Sequence, residues 1–176
     1  MNLKTSQAEF RRAYLNGGVG AIISGIVWII ASLTQTLASI GTGFAVLFLG
    51  GMLIFPLTVA FLRAFTNRSL PSEENPGGRM VIETLFPMIA MFFAAWLILP
   101  MRPEFVMPLA AIAVGAHYFG FRSAYGDILY WILGGLMCVL GVSSILYSIP
   151  SSTIVPYIVA IFEIAFGILL ISRADR

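Results

Sequence analysis

The stretch IVPYIVAIFEIAFGILLI, residues 154–171, is long and apolar enough to cross a lipid bilayer. An α-helix rises about 1.5 Å per residue, so about 20 apolar residues match a hydrocarbon core of about 30 Å. Five similar runs precede it, and the sequence therefore predicts six membrane-spanning helices. Their expected bounds are Asn16–Leu37, Thr42–Ala64, Met80–Leu99, Phe105–Phe121, Asp127–Tyr147 and Ile154–Ile171.

The composition of the whole chain is that of a membrane protein. Of its 176 residues, 59% are hydrophobic and 10% are charged, whereas soluble domains carry about 25% charged residues. The net charge of +2 is too small to favour nucleic acid as a partner. Because the links are short and contain Pro and Gly, consecutive spans must run antiparallel. We expect an all-α polytopic protein with six transmembrane helices in three antiparallel hairpins, surrounded by the lipid bilayer.

The basic residues are distributed asymmetrically, and this predicts the orientation. Nine of the ten Lys and Arg fall at the termini and in the even-numbered links, and only Arg102 lies on the other side. Basic residues near span ends mark the cytoplasmic side. Both termini are therefore expected in the cytoplasm, with the chain in the inner (plasma) membrane. The nine residues are Lys4, Arg11, Arg12, Arg63, Arg68, Arg79, Arg122, Arg173 and Arg176.

Residues 1–13 are expected to form a cytoplasmic segment, and residues 14–176 a single six-helix transmembrane domain. Ser6 and Glu9 have the spacing of a capping box, which predicts a short helix that begins at Gln7. With basic residues nearby, this helix would lie on the membrane surface. The alternative is that the segment is the frayed start of a continuous first span.

Small residues predict how the first span packs. Gly17, Ala21 and Gly25 are four residues apart and therefore share one helix face. Membrane helices associate through close backbone approach at such small residues. This stripe is expected to pack against another helix, which could belong to this chain, to a second copy in a homo-oligomer, or to a larger transporter of which the chain is a subunit.

Glu163 lies near the midpoint of the sixth span, where Tyr157 is the only other residue that is neither apolar nor small. An ionisable group at a helix centre costs about 2.5–3.5 kcal/mol on insertion scales, so Glu163 should not face lipid. One interpretation is a proton-linked or cation-linked site. The other is a structural acid that donates a hydrogen bond to a carbonyl freed by an intrahelical proline, that of Met52 or Glu83.

A second polar group is expected at the cytoplasmic end of the bundle. Glu83 and His117 lie at similar depths in consecutive antiparallel spans, so a carboxylate–imidazole pair is geometrically reasonable. Asn16, Arg122 and Asp127 flank the same surface. One interpretation is a proton relay or solute vestibule. In the other, Asp127 is an N-cap, Arg122 is a topology charge, and Glu83 is favoured by a nearby helix start.

Patterns typical of catalysis or of cofactor binding are absent from the sequence. The single histidine and the single cysteine, Cys138, show no ligand spacing such as H-x-x-x-H or C-x-x-C. Cys138 lies near mid-span, too far from His117 for a nucleophile–base pair. The glycines do not have the spacing of a phosphate loop. We therefore expect no enzyme, no metal and no cofactor.

Two stretches carry a resemblance to known proteins. The segments LNGG, residues 15–18, and SGIVW, residues 24–28, resemble an uncharacterised family of small six-span bacterial inner-membrane proteins. The glycines and proline of the fifth and sixth spans are similar to the hairpins of small acid-stress membrane proteins. The first resemblance implies the fold and no activity, and the second implies at most a stress-related role.

The leading functional hypothesis is transport of a small solute or ion, coupled to protons through Glu163 with Glu83 and His117 at the cytoplasmic mouth. The alternative is a non-transporting accessory or stress-related protein that oligomerises, or a membrane subunit of a larger transporter. A hydrated cavity that connects Glu163 to one face of the bundle favours transport. A dry core around Glu163 favours the accessory function.

Overall fold

The computed structural model describes residues 2–175, which form seven α-helices. The last six are long and apolar enough to cross a membrane, which confirms the predicted all-α, multi-pass architecture. The helices are α1 (Leu3–Ala13), α2 (Gly18–Leu37), α3 (Ile40–Phe65), α4 (Gly77–Ile98), α5 (Val106–Tyr125), α6 (Leu129–Tyr147) and α7 (Val155–Ser172). We call the end of the bundle that carries α1 and the end of α7 the terminal end, and the other the opposite end.

Helix α1 begins four residues before the predicted start. Its N-cap is Asn2, whose Oδ1 accepts a hydrogen bond of 2.9 Å from the amide of Thr5. The capping box predicted from Ser6 and Glu9 is wrong, because both side chains make tertiary contacts. The Ser6 hydroxyl donates to Oδ1 of Asn75, and the Glu9 carboxylate accepts from the Asn75 side-chain amide.

The turn between α1 and α2 excludes a single continuous first helix. Leu15, Asn16 and Gly17 all have positive φ angles, of 50°, 53° and 73°, a left-handed conformation that cannot continue a right-handed helix. A Cβ on Gly17 would lie 3.1 Å from Cζ of Tyr125, so this position requires glycine for space as well as for its φ. The chain therefore turns sharply before it enters the bundle.

The six long helices form two groups of three, with α2 between α3 and α7, and α5 between α4 and α6. Backbones approach closely at facing glycines. A Cβ on Gly167 would lie 2.8 Å from the carbonyl oxygen of Gly18, and one on Gly115 would lie 2.8 Å from that of Gly134. Although α6 and α7 are consecutive, each packs more extensively on the central helix of its own group. Small residues, not chain order, decide which helices pack tightly.

Helices α3 and α4 are the most peripheral, and most of their side chains are exposed on the outside of the bundle. They carry the two intrahelical prolines, Pro56 and Pro87. Aromatic rings join them near the opposite end, where the Phe44 and Phe92 centroids are 5.5 Å apart. The core of the bundle consequently lies among α2, α5, α6 and α7.

Candidate functional site

Glu163 lies at the centre of the bundle and has no exposed surface. The hydroxyl of Tyr118 on α5 donates a hydrogen bond of 2.8 Å to its Oε1. Ser24, buried on α2, lies beside the same carboxyl group. Oε2 has no hydrogen-bond partner within residues 2–175. Three helices thus enclose one carboxyl group whose hydrogen bonding is only partly satisfied.

The partners proposed from the sequence for Glu163 are wrong. Glu163 makes no hydrogen bond to the carbonyl of Met52 or of Glu83 in the described residues, because Oε2 has no partner and Oε1 is bonded to Tyr118. Met52 and Glu83 lie on α3 and α4, the most peripheral helices of the two groups. The carbonyls freed by the intrahelical prolines therefore did not predict the hydrogen-bond partner of Glu163, which is the Tyr118 hydroxyl.

The expected pair of Glu83 and His117 is not formed. Nδ1 of His117 lies 2.6 Å from the hydroxyl of Thr84, the residue next to Glu83. Adjacent residues on a helix point about 100° apart, so the rotation of α4 that directs Thr84 towards α5 turns Glu83 outwards. Thr84 fits there because Gly120 of α5 has no side chain. The sequence correctly placed Glu83 and His117 at similar depths, but it did not predict that Thr84 is the residue that faces His117.

Asn16 and Asp127 do come together at the terminal end. Nδ2 of Asn16 donates a hydrogen bond of 2.8 Å to Oδ2 of Asp127, and the same carboxylate lies 3.3 Å from Nε of Arg173. Oδ1 of Asp127 accepts from the amide of Leu129 at the start of α6. Tyr130 donates a hydrogen bond of 2.7 Å to the carbonyl oxygen of Asn16. The N-cap of α6 is Ile128, so Asp127 lies one residue before the predicted capping position, and its carboxylate joins the start of α6 to a wider polar network.

Arg122 does not join this network. Its guanidinium carbon lies 5.5 Å from the ring centroid of Trp131, a cation–π arrangement on the side of the bundle. Of the five residues expected to cluster at this end, Asn16 and Asp127 are in contact. His117 contacts α4, and Glu83 faces outwards.

Buried aromatic side chains connect the two polar sites, and the sequence did not indicate this. Ring centroids are 5.9 Å apart for Tyr118 and Tyr130 and 5.2 Å apart for Tyr125 and Tyr130, and both pairs are stacked. Phe10 of α1 covers this cluster, 4.8 Å from Tyr125. Tyr125, Tyr130 and Tyr147 all lie near the ends of spans, a position typical of aromatic residues at a membrane interface. Tertiary packing buries the first two and leaves Tyr147 exposed, and the sequence alone does not separate them.

The stripe of small residues on α2 is occupied within the chain. A Cβ on Gly25 would lie 3.0 Å from the carbonyl oxygen of Ala160 on α7, and Ala21 is buried. Gly17 lies in the turn before the helix and not in the stripe. This face is therefore not available to dock a helix from another protein. Within residues 2–175, no three His, Cys, Asp or Glu side chains are placed to share a metal ion.

The fold and this interior define a class, that of small six-span helical membrane proteins with a buried acid. The chain belongs to a family described as "Family of unknown function (DUF7010)", which matches residues 3–173. This agrees with the expected resemblance to an uncharacterised family. No curated protein and no solved structure matches the chain.

Proposed function

We propose that this chain is a proton-responsive membrane protein that does not itself transport a solute, and that Glu163 is the responsive group. The observation that supports this most directly is the complete burial of Glu163 beside one donor hydroxyl. The transport hypothesis rested on a hydrated route from Glu163 to one face of the bundle. A carboxyl group with no exposed surface favours the accessory function instead.

The proposed response follows from the cost of charge in this environment. Removing an ion from water costs several kcal/mol unless a counter-charge compensates for it. The groups beside Glu163 are the hydroxyls of Tyr118 on α5 and Ser24 on α2, and Tyr130 of α6 lies behind Tyr118. No Lys, Arg or His in the described part of the chain forms an ion pair or hydrogen bond with Glu163. Closed packing therefore accommodates the neutral acid, and ionisation requires water to enter between α2, α5 and α7.

The terminal end is the side from which we propose that protons reach Glu163. Tyr118, Tyr130, Asn16 and Asp127 form a polar and aromatic column in that direction. Towards the opposite end, Trp28, Met107 and Val159 are almost completely buried. The buried polar side chains of Ser32 and Gln35 beyond them donate to backbone carbonyls. Because the basic residues lie at the terminal end, we propose that it is cytoplasmic and that Glu163 responds to cytoplasmic pH.

The test is the pH dependence of helix opening in lipid nanodiscs, followed by hydrogen–deuterium exchange. The ordinary pKa of a Glu side chain is about 4.3. Above that pH, Glu163 of an unfolded chain has lost the proton that it retains in the closed bundle. Stability should then fall as pH rises, by up to about 1.4 kcal/mol per pH unit. After correction for the base-catalysed intrinsic exchange rate at each pH, the protection of amides in α2, α5 and α7 should fall accordingly in the wild type and stay constant in Glu163→Gln.

Glu73→Gln removes an exposed carboxyl group from the connection between α3 and α4 and is the matched control. It should retain the wild-type pH dependence. An identical pH dependence in Glu163→Gln and in the wild type would refute the proposal.

Proton-linked transport is the second candidate, and the polar column between Glu163 and Asp127 favours it. Its test is uptake in liposomes under an imposed pH gradient. Glu163-dependent proton flux would support transport over the accessory function. Absence of flux together with the pH-dependent exchange described above would support the primary proposal.

A further inference from the structure

Arg122 is a partly buried cation on the side of the bundle, and the described residues supply no counter-charge for it. Three other arginines each lie 2.6–3.3 Å from a carboxylate, namely Arg68, Arg102 and Arg173. Within residues 2–175, Arg122 forms no such pair, and its Nε is buried without a hydrogen-bond partner. Removing a charge from water costs free energy unless an opposite charge compensates for it. An anion from outside the chain is therefore expected beside Arg122.

The nearest carboxylate along the chain is already engaged elsewhere. Asp127 lies in the link that follows α5 and is 5% exposed. Its Oδ2 accepts a hydrogen bond from Asn16 and lies 3.3 Å from Nε of Arg173, and its Oδ1 accepts from the amide of Leu129. The charge of Asp127 is thus compensated without Arg122, although the two residues belong to the same hairpin.

The two terminal nitrogens of Arg122 are the atoms that can contact an external anion. Nε is the one nitrogen of this side chain that is both buried and without a partner among the described residues, so Nη1 and Nη2 retain accessible surface. The guanidinium carbon lies 5.5 Å from the ring centroid of Trp131, which is 53% exposed. A guanidinium held against an aromatic ring still presents its terminal N–H groups as a fork that fits an oxyanion.

The depth of Arg122 and Trp131 matches that of lipid headgroups. Helix α5 ends at Tyr125 and helix α6 begins at Leu129, and both are long and apolar enough to cross a membrane. Arg122 and Trp131 therefore each lie within about one helical turn, about 5 Å, of the end of a span. Tryptophan is typical of the membrane interface. The anion that a membrane offers at this depth is the phosphate of a phospholipid.

An apolar track on α6 leads from this point towards the opposite end of the bundle. Trp131, Gly135 and Val139 are four residues apart and therefore share one helix face. A Cβ on Gly135 would meet no other atom within 4 Å, and Val139 is 68% exposed. An acyl chain joined to a phosphate at Arg122 would lie along this face, a contact that a soluble anion lacks.

We infer that Arg122 and Trp131 bind the phosphate group of an anionic phospholipid in the leaflet at the terminal end. The guanidinium makes the bidentate contact with phosphate oxygens that suits its planar fork. An anionic lipid is favoured over phosphatidylcholine, whose positive choline group cancels the charge of its phosphate. This inference does not depend on the ionisation of Glu163.

The experiment measures the thermal stability of the purified full chain in a neutral detergent with increasing phosphatidylglycerol or phosphatidylcholine of identical acyl chains. Binding raises the stability of the state that binds, so we expect a saturable rise that is larger with phosphatidylglycerol. Arg122→Gln should weaken the apparent affinity for phosphatidylglycerol about tenfold or more, the effect of losing a hydrogen bond between charged groups. Trp131→Leu should act in the same direction and decides alone if Arg122→Gln does not assemble.

Arg63→Gln is the matched control, because it removes one positive charge from an exposed position at the same end of the bundle. It should retain the wild-type preference for phosphatidylglycerol. Arg122→Lys keeps the charge without the fork and should lose most of the preference. Equal loss in Arg63→Gln, full retention in Arg122→Lys, or equal stabilisation of the wild type by the two lipids would overturn the inference. A response to glycerol 3-phosphate as large as that to phosphatidylglycerol would also overturn it, because the track would then contribute nothing.

Tryptophan fluorescence locates the bound lipid. In a Trp96→Phe background, the remaining tryptophans are Trp28 and Trp131. Trp28 is 1% exposed, so quenching by lipids with brominated acyl chains reports on Trp131. Brominated phosphatidylglycerol should quench more strongly than brominated phosphatidylcholine at the same mole fraction, and Arg122→Gln should abolish the difference. Equal quenching by the two lipids without the Arg122→Gln change would contradict a phosphate site at this position.

Discussion

The hydrogen bond between Tyr118 and Glu163 should be measurable as an energetic coupling between two buried side chains. Tyr118→Phe removes the hydroxyl that lies 2.8 Å from Oε1 of Glu163 and leaves both carboxyl oxygens without this donor. A buried group that loses its only partner costs about 1–3 kcal/mol. Tyr118 is 5% exposed and Glu163 is fully buried, so water does not replace the lost bond in the closed bundle.

Glu163→Leu is the complementary change, because it leaves the Tyr118 hydroxyl unpaired in an apolar interior. It should destabilise by a similar amount. Replacing both partners with apolar groups leaves no unsatisfied polar atom, so the double replacement can change the free energy of unfolding very little. The double variant should therefore be less destabilised than the sum of the single variants, with a coupling of about 1–2 kcal/mol.

Unfolding of the four proteins in mixed micelles by increasing SDS, followed by circular dichroism, supplies the free energies. Tyr147→Phe is the control, because Tyr147 is 71% exposed and has no hydrogen bond through its hydroxyl in the described part of the chain. It should change stability little. Strictly additive single effects would refute the assigned hydrogen bond, and a Tyr118→Phe variant as stable as the wild type would show that the bond contributes nothing.

Three further predictions concern packing, the α1 contact and orientation. Gly167→Leu should destabilise the bundle by several kcal/mol, because its Cβ would lie 2.8 Å from a backbone carbonyl oxygen that cannot move aside. Gly135→Leu is the control and should change stability little, because a Cβ there meets no other atom within 4 Å. Thermal unfolding compares the two variants. Hydrogen bonds from the Ser72 amide and the Asn75 side chain hold the pKa of Glu9 below its ordinary value. This contribution to α1 docking is present above the ordinary pKa and is lost as pH falls through the lowered one. Hydrogen–deuterium exchange checks this, and amide protection in α1 that is unchanged on acidification, after correction for the intrinsic exchange rate at each pH, would contradict it. With Cys138 replaced by Ala, an impermeant thiol reagent outside intact cells should label Met101→Cys but not Ser69→Cys if the terminal end is cytoplasmic.

The helix count and the topology followed from patterns that are local in sequence. Each apolar run is long enough to cross a bilayer, and polar or breaker residues separate it from the next, so a helix could be assigned without knowledge of its neighbours. The fourth span was underestimated at its end, where α5 continues to Tyr125 and stops at Gly126 with φ 73°. The difference is about one turn of helix, where Gln7 of α1 donates a hydrogen bond to the carbonyl oxygen of Ser123.

Partner choice could not be predicted in the same way. Depth along a span placed His117 level with Glu83, but a rotation of about 100° about the axis of α4 brought Thr84 to the interface instead. Glu163 was correctly expected to be kept from lipid, since the cost of exposing it is large whatever its partner. Its partner Tyr118 depends on how α5 and α7 are rotated towards each other, which no single span encodes.

The amino-acid sequence by itself determined six membrane-spanning helices and a buried position for Glu163, because hydrophobicity along one helix acts independently of the others. Tertiary structure alone decided that α7 packs on α2 and that tyrosines lie between Glu163 and the Asn16–Asp127 pair. The physical reason is that membrane helices have no hydrophobic drive to associate with one another. Close backbone contacts at glycines, summed over all the helices together, select their partners and rotations.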